Sequence, residues 1–398
     1  MLTLTVIKQN NAPKPLIIPT PSANGQINLP NLSGLTVKQI KEWAVANGFR
    51  VPSGLKKADL IQYLTGAHQE RINGVVPENK IITAMLDIIQ PRIPVPNLDW
   101  LTHLHTYGWA VAPISGWNPA FTTAFFQWFE GCSPNFKAND STTWKSGNMP
   151  PMLHGILKQY FGHTELQWQI RELCASIFSR IWGCKSEDLL CSFDGGCFLP
   201  CKEKKAQNGF KQWIHNDSHQ GVSSFNCVQG IVNFEENGPE DGGLVLVENS
   251  HTIFANYMAR HPSEGITWGY ADMADPELSK LPLVKICAPA GHIILFDSRT
   301  FHCNVHPYGS KFRQDGTPRF RMCTYVSMQP RSGANPKELE KRISLYEHGR
   351  LTGHWCYGAW FKETAENPRT YGGTNIVRPA QIEIAPLNPL RRRLIGYD

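Results

Sequence analysis

The sequence lacks the long hydrophobic segment that a membrane span requires, because no run of about 18 apolar residues occurs in it. Its first residues also lack a basic stretch followed by an apolar core, so we expect no secretory signal peptide. It has no Cys-x-x-Cys pair, and its eleven cysteines, scattered from Cys132 to Cys356, are an odd number. These absences argue against a disulfide framework. We expect reduced thiols in an intracellular, reducing compartment, the nucleus or the cytoplasm.

A zinc site is a second interpretation of the cysteines. Cys197 and Cys201 are separated by three residues, but no second pair follows at the spacing of a zinc motif. We therefore favour free thiols over zinc ligands.

The bulk composition is that of a folded protein with a mild positive charge. The chain has 398 residues, of which 41% are hydrophobic, so it suits one large domain with an accessory module. The net charge of +6 is compatible with a nucleic-acid partner but does not by itself indicate one.

The N-terminal region predicts a flexible tail followed by a small helical module. Residues 1–28 contain four prolines among small polar residues, which predicts a flexible tail. Residues 29–66 predict two short helices joined by a turn. Thr36 and Gln39 have the spacing of a capping box at the start of the first helix.

This module resembles the SAP motif, a helix-extended-helix unit that binds DNA or, less often, RNA. The resemblance is carried by "LTV" at residues 35–37, "LKKADL" at residues 55–60 and the turn at residues 53–54. It implies basic side chains that contact phosphates, which give affinity without sequence information. These candidates are Lys38, Lys41, Arg50, Lys56 and Lys57. The alternative is a solvated helical hairpin whose lysines only keep it soluble.

The rest of the chain predicts a linker and one large domain. Residues 67–96 are predicted to be a linker, a helix ending at a proline-marked joint, and residues 97–398 the domain. Residues 164–183 predict an amphipathic helix. After residue 188, short strand-like segments separated by turns predict a sandwich or barrel of jelly-roll type. Residues 335–361 are predicted to return to helix before a basic tail whose arginine run is expected to be solvated surface.

Histidines placed two positions before an acidic residue are candidate metal ligands, although chance gives roughly one such triplet in a chain of this composition. The triplets are His68/Glu70, His163/Glu165 and His215/Asp217. Only the third, in "QWIHNDSHQ", lies in a strand-like stretch, where alternate residues face the same side. We therefore predict that His215 and Asp217 point into the barrel together.

A ferrous site with open coordination positions needs two imidazoles and one carboxylate. The later segment "GHIILFDSRTFHCNVHP" offers His292, His302 and His306. His292 directly follows a turn glycine, and His306 precedes Pro307, beyond the expected paired region. His302 follows an apolar strand, 302 − 217 = 85 residues after Asp217, so we predict that it completes the site.

Residues from about 188 to 330 resemble the phytanoyl-CoA dioxygenase-like branch of the Fe(II)/2-oxoglutarate dioxygenases. The match is carried by "SFDGGCFLP", "WIHNDSHQG", "VQGIVNFEENGPEDGGLVLVENSH", "AGHIILFDSRTFHCN" and "RFRMCTYVSMQPR". It implies a mainly β core with α flanks, an α+β fold built on a double-stranded β-helix of the jelly-roll, cupin-like type. It also implies Fe²⁺ on His215, Asp217 and His302, with 2-oxoglutarate as cosubstrate.

The resemblance further implies an arginine that neutralises the far carboxylate of 2-oxoglutarate, early on the strand after the distal histidine. In "RFRMCTYVSM" we prefer Arg321, with Arg319 as its rival on the same predicted face. Arg313, in the preceding turn, is a third possibility. Gln229 is expected to be a partly buried strand residue with a backbone partner, and the less favoured reading is contact with the cosubstrate.

The function that this resemblance implies is a hydroxylase using O2 and an unidentified organic substrate. Halogenating relatives replace the carboxylate ligand by a small residue, so Asp217 favours hydroxylation. The helical module is expected to direct the enzyme to nucleic acid or chromatin, and no membrane partner is expected. Two alternatives are a nucleic-acid-binding or structural jelly-roll protein with an unused iron site, and a small-molecule or lipid hydroxylase that the module merely tethers.

Overall fold

A computed structural model describes residues 32–46, 57–58, 60–61, 64, 90–94, 98–150, 152, 155–157, 161–201, 214–218, 224–262, 269–363 and 385–398 of the chain. The chain divides into two compact units, residues 1–88 and 89–398, which are described separately. The predicted flexible tail and most of the predicted linker lie outside the described residues. None of the described helices combines the length and the apolar composition that crossing a membrane requires.

The first unit contains a helix that begins with the predicted capping box. The Thr36 hydroxyl accepts a hydrogen bond from the Gln39 backbone N–H (3.3 Å), and the Gln39 side chain accepts one from the Thr36 N–H (2.9 Å). Helix α1 (Val37–Ala46) follows. Described residues between positions 57 and 64 are also helical. The two helical stretches share a small buried core of Leu32, Ile40, Ala44, Leu60 and Leu64.

The second unit is built from short strands flanked by helices. The described strands are β1 (Gln90–Arg92), β2 (Trp109–Pro113), β3 (Ile156–Leu157), β4 (Leu189–Cys191), β5 (Gly196–Pro200), β6 (His215–Asn216), β7 (Val228–Asn233), β8 (Gly243–Val247), β9 (Gly269–Tyr270), β10 (Leu283–Ile286), β11 (His292–Asp297), β12 (His302–Val305) and β13 (Phe320–Pro330). The described helices are α2 (Trp100–Tyr107), α3 (Ala120–Cys132), α4 (Glu165–Trp182), α5 (Ser250–Arg260), α6 (Pro336–Glu347) and α7 (Pro389–Ile395).

The strands form two facing sheets. Among the described residues, one sheet has the order β1-β10-β8-β12-β6-β9 and the other β2-β11-β7-β13-β5-β3, with β4 also pairing with β13. Leu246 and Val284 of the first sheet share a buried cluster with Ile231 and Phe296 of the second. Apolar side chains therefore fill part of the space between the sheets, as in other β sandwiches. The predicted α+β class, a β core with helical flanks, is confirmed.

The proline-marked joint contains a strand that the sequence did not predict. Strand β1 pairs in parallel with β10 at the edge of the first sheet, with Pro91 opposite Lys285. A proline lacks the N–H that an interior strand needs, but an edge strand tolerates it. The joint is therefore part of the second unit's sheet.

Helix α4 confirms the amphipathic helix predicted for residues 164–183. The Thr164 side chain accepts a hydrogen bond from the backbone N–H of Gln167 (3.2 Å), and Gly183 ends the helix at a φ of 64°. Gln167 also donates from its side chain to the Tyr325 carbonyl oxygen (3.0 Å), which fixes the helix on β13.

The helix predicted over residues 335–361 is wrong in its second half. Helix α6 ends at Glu347, and Gly349 has a φ of 63°, a left-handed conformation that favours glycine. The chain then returns to the sheets, where the Thr352 N–H donates to the Phe193 carbonyl oxygen (3.0 Å). Residues 351–363, called the strap below, therefore lie against the β core.

The basic tail also differs from the prediction. Helix α7 carries Arg391, which is 4% exposed. Its guanidinium forms ion pairs with Glu165 (2.7 Å) and Glu172 (2.9 Å) of α4. The expectation of a solvated arginine run is wrong for Arg391, because this side chain attaches the last helix to α4.

Buried His163 predicts that the protein loses stability in mild acid. Its Nε2 lies 2.7 Å from the Arg350 carbonyl oxygen, and burial, together with the charge of Arg171, lowers its pKa to about 3. The unfolded chain binds this proton near pH 6.5 and the folded chain does not. The free energy of unfolding should therefore fall between about pH 6.5 and 3, by up to roughly 1.4 kcal/mol per pH unit. His163→Gln should flatten this slope in denaturant titrations.

The matched control for this prediction is His348→Gln, which changes an exposed histidine at the end of α6. It should leave the slope unchanged. If His163→Gln and the wild type lose stability in parallel from pH 6.5 to pH 4, the assignment of acid sensitivity to His163 is wrong.

Candidate metal centre

The sheet brings the three predicted ligands together. Strand β12 pairs with β6 so that His302 stands directly opposite His215, with ring centroids 4.5 Å apart. Asp217 follows β6, and its Oδ1 lies 3.8 Å from His215 Nε2 while its Oδ2 lies 3.3 Å from His302 Nε2. One ligand atom from each residue lies within 4.8 Å of the other two. The histidines at positions 292 and 306 are not part of this set.

The tautomer of His302 is fixed by its backbone partner. His302 Nδ1 lies 2.9 Å from the Thr300 carbonyl oxygen, so this nitrogen carries the proton and donates it. The other nitrogen, Nε2, lies on the side of Asp217, where a metal ion would be shared by the two residues. This is the usual arrangement of a metal-ligating histidine, in which the outer hydrogen bond orients the ring.

The carboxyl group of Asp217 is held in its charged form. Burial opposes ionisation, but His354, followed by His302 and His215, outweighs it and holds the pKa of Asp217 well below its usual range. Two imidazoles and one carboxylate on one side of a cation form the donor set of a first-row divalent metal with open positions. The residues therefore fit such an ion.

Two residues whose contacts with Asp217 the sequence did not predict hold it in place. The Gln229 side chain on β7 donates from Nε2 to Asp217 Oδ2 (3.0 Å). Trp355 of the strap donates from its indole N–H to the Asp217 backbone carbonyl oxygen (3.1 Å). Gln229 was expected to have a backbone partner, but its partner is the carboxylate. The sequence feature that could have indicated it is an amide side chain inside the largely apolar strand "VQGIVNF".

Removing the Gln229 amide should weaken metal binding. In Gln229→Leu the carboxylate loses the donor that orients Oδ2, and losses of about 10- to 100-fold in metal affinity are typical of such changes. Isothermal titration of the apoprotein with Ni²⁺ measures this. Gln169→Leu, which removes a glutamine that bonds Glu165 on the surface of α4, should leave the affinity unchanged. Affinities of Gln229→Leu and wild type within about twofold of each other would contradict the positioning role.

The three ligands open into a cavity of about 420 Å³ between the sheets. This volume lies within the range of pockets that bind small molecules. Its described lining residues are Ile156, Asp194, His215, Asp217, Gln229, Gly230, Ile231, Leu244, Phe296, His302, Cys303, Asn304, Arg321, Tyr325, Ser327, Gly353 and His354.

Arg321 supplies a buried cation to this cavity. The residue is 2% exposed, and its Nη1 has no hydrogen-bond partner among the described residues. A buried guanidinium with a free donor is costly unless a ligand completes it. An anionic group that enters the cavity would find this donor preformed.

The other two candidate arginines have acidic partners outside the cavity. Arg319 precedes β13, and its Nη1 lies 3.1 Å from Asp241 and 3.2 Å from Glu240. Arg313 forms ion pairs with Glu235 (3.2 Å) and Asp241 (3.4 Å). Arg319, unlike Arg321, is not among the described residues that line the cavity, and its guanidinium is paired with Asp241 and Glu240 instead.

The remaining sequence candidates do not form a second metal site among the described residues. His163 contacts the Arg350 carbonyl oxygen, whereas Glu165 pairs with Arg391. His68 and Glu70 lie outside the described residues. All eleven cysteines are free thiols, as predicted. Cys197, one of the two cysteines considered as zinc ligands, lies opposite Cys323 on β13.

Of the predicted phosphate-contacting residues, Lys38, Lys41 and Lys57 are described, and Arg50 and Lys56 are not. The Lys38 side chain is 81% exposed and lies 4.0 Å from Glu42. Lys57 donates from Nζ to the Ser33 carbonyl oxygen (2.8 Å), so part of its donor capacity is used within the unit.

Comparison with known proteins gives one family match and one curated relative. Residues 147–303 match the family model described as phytanoyl-CoA dioxygenase (PhyH). Ava biosynthesis cluster protein O of Aspergillus versicolor is 26% identical over 272 residues, which cover 63% of this chain and 83% of that protein.

Solved structures with partial similarity include proteins crystallised with metal and 2-oxoglutarate. The epimerase SnoN, in complex with Fe³⁺, alpha ketoglutarate and nogalamycin RO, is 14% identical with a TM-score of 0.39, covering 73% of this chain and 94% of that one. The carbocyclase SnoK is 17% identical with a TM-score of 0.37, covering 60% and 87%. HygX from Streptomyces hygroscopicus, with nickel and 2-oxoglutarate bound, is 12% identical with a TM-score of 0.37, covering 59% and 88%.

Proposed function

We propose that this protein is an Fe(II)/2-oxoglutarate-dependent oxygenase. The observation that carries the proposal is the convergence of His215, Asp217 and His302 at one cavity. The same cavity contains buried Arg321, whose Nη1 has no hydrogen-bond partner among the described residues. The match of residues 147–303 to the phytanoyl-CoA dioxygenase family supports it.

The roles of the four residues follow from their chemistry. His215, Asp217 and His302 would hold iron on one side, which leaves the cavity side for other ligands. Arg321 would bind the far carboxylate of 2-oxoglutarate with charge-assisted hydrogen bonds. When bound, iron and 2-oxoglutarate with O2 supply the oxidising power to attack an unactivated C–H bond.

The chain itself contributes orientation and exclusion of water. Thr300 fixes the His302 ring, and Gln229 and Trp355 fix Asp217 from two directions. Both histidine ligands are only 6% exposed. A preformed, water-poor site of this kind protects a reactive centre from side reactions and keeps its ligands in place.

We propose that the outcome of the reaction is hydroxylation. Asp217 fills the ligand position that a halide would need, which is the support for oxygen transfer over halogenation. Transfer of labelled oxygen from O2 into the product identifies hydroxylation, whereas epimerisation or ring closure leaves the product without it.

The test of the proposed function is consumption of 2-oxoglutarate by the full chain. Apoprotein supplied with Fe²⁺, 2-oxoglutarate and O2 should release succinate slowly even without substrate, and omitting Fe²⁺ should stop it. A protein that binds neither the metal nor 2-oxoglutarate would instead be a structural jelly-roll protein, and the oxygenase proposal would fail.

For the first unit we propose a role as a nucleic-acid tether. Support comes from exposed Lys38 and partly exposed Lys41 on α1, which could approach phosphates. Retention on DNA and RNA at increasing salt tests it: Lys38→Glu with Lys41→Glu should release the protein at lower salt. The matched control is Lys280→Glu with Lys337→Glu, two exposed lysines of the second unit. Equal retention of both double variants would contradict the tether.

A further inference from the structure

Two cysteines stand opposite each other on strands beside the cavity, and the proposed chemistry uses neither. Strand register places Cys197 of β5 directly opposite Cys323 of β13. Directly opposite residues of antiparallel strands have Cα atoms about 4.5–5.5 Å apart, and a disulfide forms between Cα atoms about 4.4–6.8 Å apart. The backbone therefore already holds the two residues at the separation that a disulfide requires.

The pair borders the cavity from the side of the second sheet. Ile156 of β3, which stands opposite Cys197, lines the cavity. Arg321 and Tyr325, which lie two positions before and after Cys323 on β13, line it as well. Both cysteines are 0% exposed and belong to the buried cluster between the sheets. The cavity is therefore the side from which a small molecule would approach them.

The surroundings of Cys197 favour its thiolate form. Burial opposes ionisation of this thiol. The donor group of Cys323, followed by the positive charge of Arg321 and the donor group of Tyr325, outweighs burial and lowers the pKa of the thiol to about 7. By contrast, burial raises the pKa of Cys303, another cysteine at the cavity, to about 12. Near neutral pH, Cys197 therefore carries a large fraction of thiolate, the form of cysteine that reacts.

The two sulfurs of the pair have different roles. Burial, together with the neighbouring Cys197, raises the pKa of Cys323 well above its usual range, so Cys323 keeps its proton. A thiolate of low pKa next to a second thiol is the arrangement of redox-sensing cysteines, in which the second thiol resolves the oxidised form of the first. Cys197 is therefore suited to react first and Cys323 to resolve the product.

We propose that Cys197 and Cys323 form a peroxide-reactive dithiol that closes to a disulfide unless the cosubstrate is bound at Arg321. The Cys197 thiolate attacks one oxygen of hydrogen peroxide, the O–O bond breaks, and a sulfenic acid and hydroxide form. The sulfur of Cys323 then attacks the sulfenic sulfur, and the hydroxyl group leaves with the thiol proton as water. The two thiols are oxidised by two electrons, and one peroxide is reduced to water and hydroxide.

The protection by cosubstrate follows from the charge of Arg321. This charge helps to keep the pKa of Cys197 low, and a carboxylate bound to Arg321 would neutralise it. Less thiolate would then be present to react. The protection rests on the proposed function, which assigns the far carboxylate of 2-oxoglutarate to Arg321, whereas the disulfide chemistry does not.

The first test identifies the disulfide. Reduced full-chain protein is treated with hydrogen peroxide, the remaining thiols are alkylated at successive times, and mass spectrometry of the non-reduced peptides locates each link. The wild type should form the Cys197–Cys323 link before any other, and dithiothreitol should reverse it. Cys201→Ser is the matched control, because it removes the thiol four positions after Cys197, and it should form the same link at the wild-type rate.

Two further variants identify the sulfur that reacts first. In Cys323→Ser the sulfenic acid on Cys197 has lost the thiol opposite it, so dimedone should label position 197. In Cys197→Ser, dimedone labelling of Cys323 should be about tenfold lower or less, because a thiol of raised pKa is a poor nucleophile.

The second test measures protection. Ni²⁺ with saturating 2-oxoglutarate should slow formation of the wild-type disulfide roughly tenfold or more, since each unit by which the pKa rises above the working pH lowers the thiolate fraction tenfold. Ni²⁺ alone should leave the rate unchanged.

Three results would overturn the proposal: no disulfide between Cys197 and Cys323 ahead of others, equal dimedone labelling in the two single variants, or an unchanged rate with 2-oxoglutarate bound. A separate titration with 2-oxoglutarate distinguishes this inference from the proposed function. If the cosubstrate binds and the rate is unchanged, the protection is wrong and the proposed function stands. If it does not bind, the proposed function fails and the protection with it.

Discussion

Replacing His302 with alanine should lower the affinity for Fe²⁺ by roughly a hundred- to a thousandfold, since four-ligand structural Zn²⁺ sites bind with about 10–16 kcal/mol, or about 2.5–4 kcal/mol for each ligand. The loss should be large because β6 and Gln229 hold the other two ligands in place, so they do not move to compensate. Titration of the anaerobic apoprotein with Fe²⁺ measures it, and succinate release should be lost in parallel.

The controls for His302→Ala come from the same segment of the chain. His292→Ala and His306→Ala each remove an imidazole within ten residues of β12 but outside the converging set. Both should bind Fe²⁺ as the wild type does. Equal loss in all three variants would indicate damage to the sheet, and unchanged affinity in His302→Ala would show that the metal lies elsewhere.

Replacing Arg321 with methionine should weaken 2-oxoglutarate binding by roughly a hundredfold, since the loss of a buried charge partner costs about 2–5 kcal/mol. The cavity offers no second cation among its described lining residues to take over. Binding to the Ni²⁺-loaded protein by isothermal titration measures the effect, and the affinity for Ni²⁺ itself should change little.

Arg319→Met is the matched control for Arg321→Met. It removes ion pairs with Asp241 and Glu240, so it should lower stability but leave 2-oxoglutarate binding within about threefold. Arg321→Met should not lower stability, because the free protein loses a buried guanidinium nitrogen for which the described part of the chain supplies no partner. The reverse pattern, with Arg319 controlling cosubstrate binding, would contradict the assignment.

Much of the metal centre could be predicted from local patterns. Alternation along a strand places His215 and Asp217 on one side, and an apolar strand before "DSRTFH" indicates His302. β6 is only two residues long, so Asp217 lies just past it, yet the carboxylate still reaches both imidazoles. The alternation of residues along a strand was sufficient to predict these ligands, because His302 and His215 stand directly opposite each other on paired strands.

The parts that the sequence did not reveal depend on contacts between distant segments. Trp355 donates a hydrogen bond to Asp217, which lies 138 positions earlier in the chain. The neighbouring residue His354 lines the cavity, and both belong to a segment that the sequence predicted to be helical. A helical pattern continues past Glu347, but the turn at Gly349 ends it, and only the packing of the strap decides where the chain goes. The acidic partners of Arg319 likewise come from a loop 78 residues away.

The central claim is that His215, Asp217 and His302 together bind one divalent ion, which faces the cavity that Arg321 also lines. A crystal structure of the full chain grown anaerobically with Fe²⁺ and 2-oxoglutarate, with anomalous data at the iron edge, tests it directly. The account predicts a single peak bonded to Nε2 of both histidines and to Asp217, with a cosubstrate carboxylate on Arg321. An iron peak on other residues, or none at this site, would contradict it.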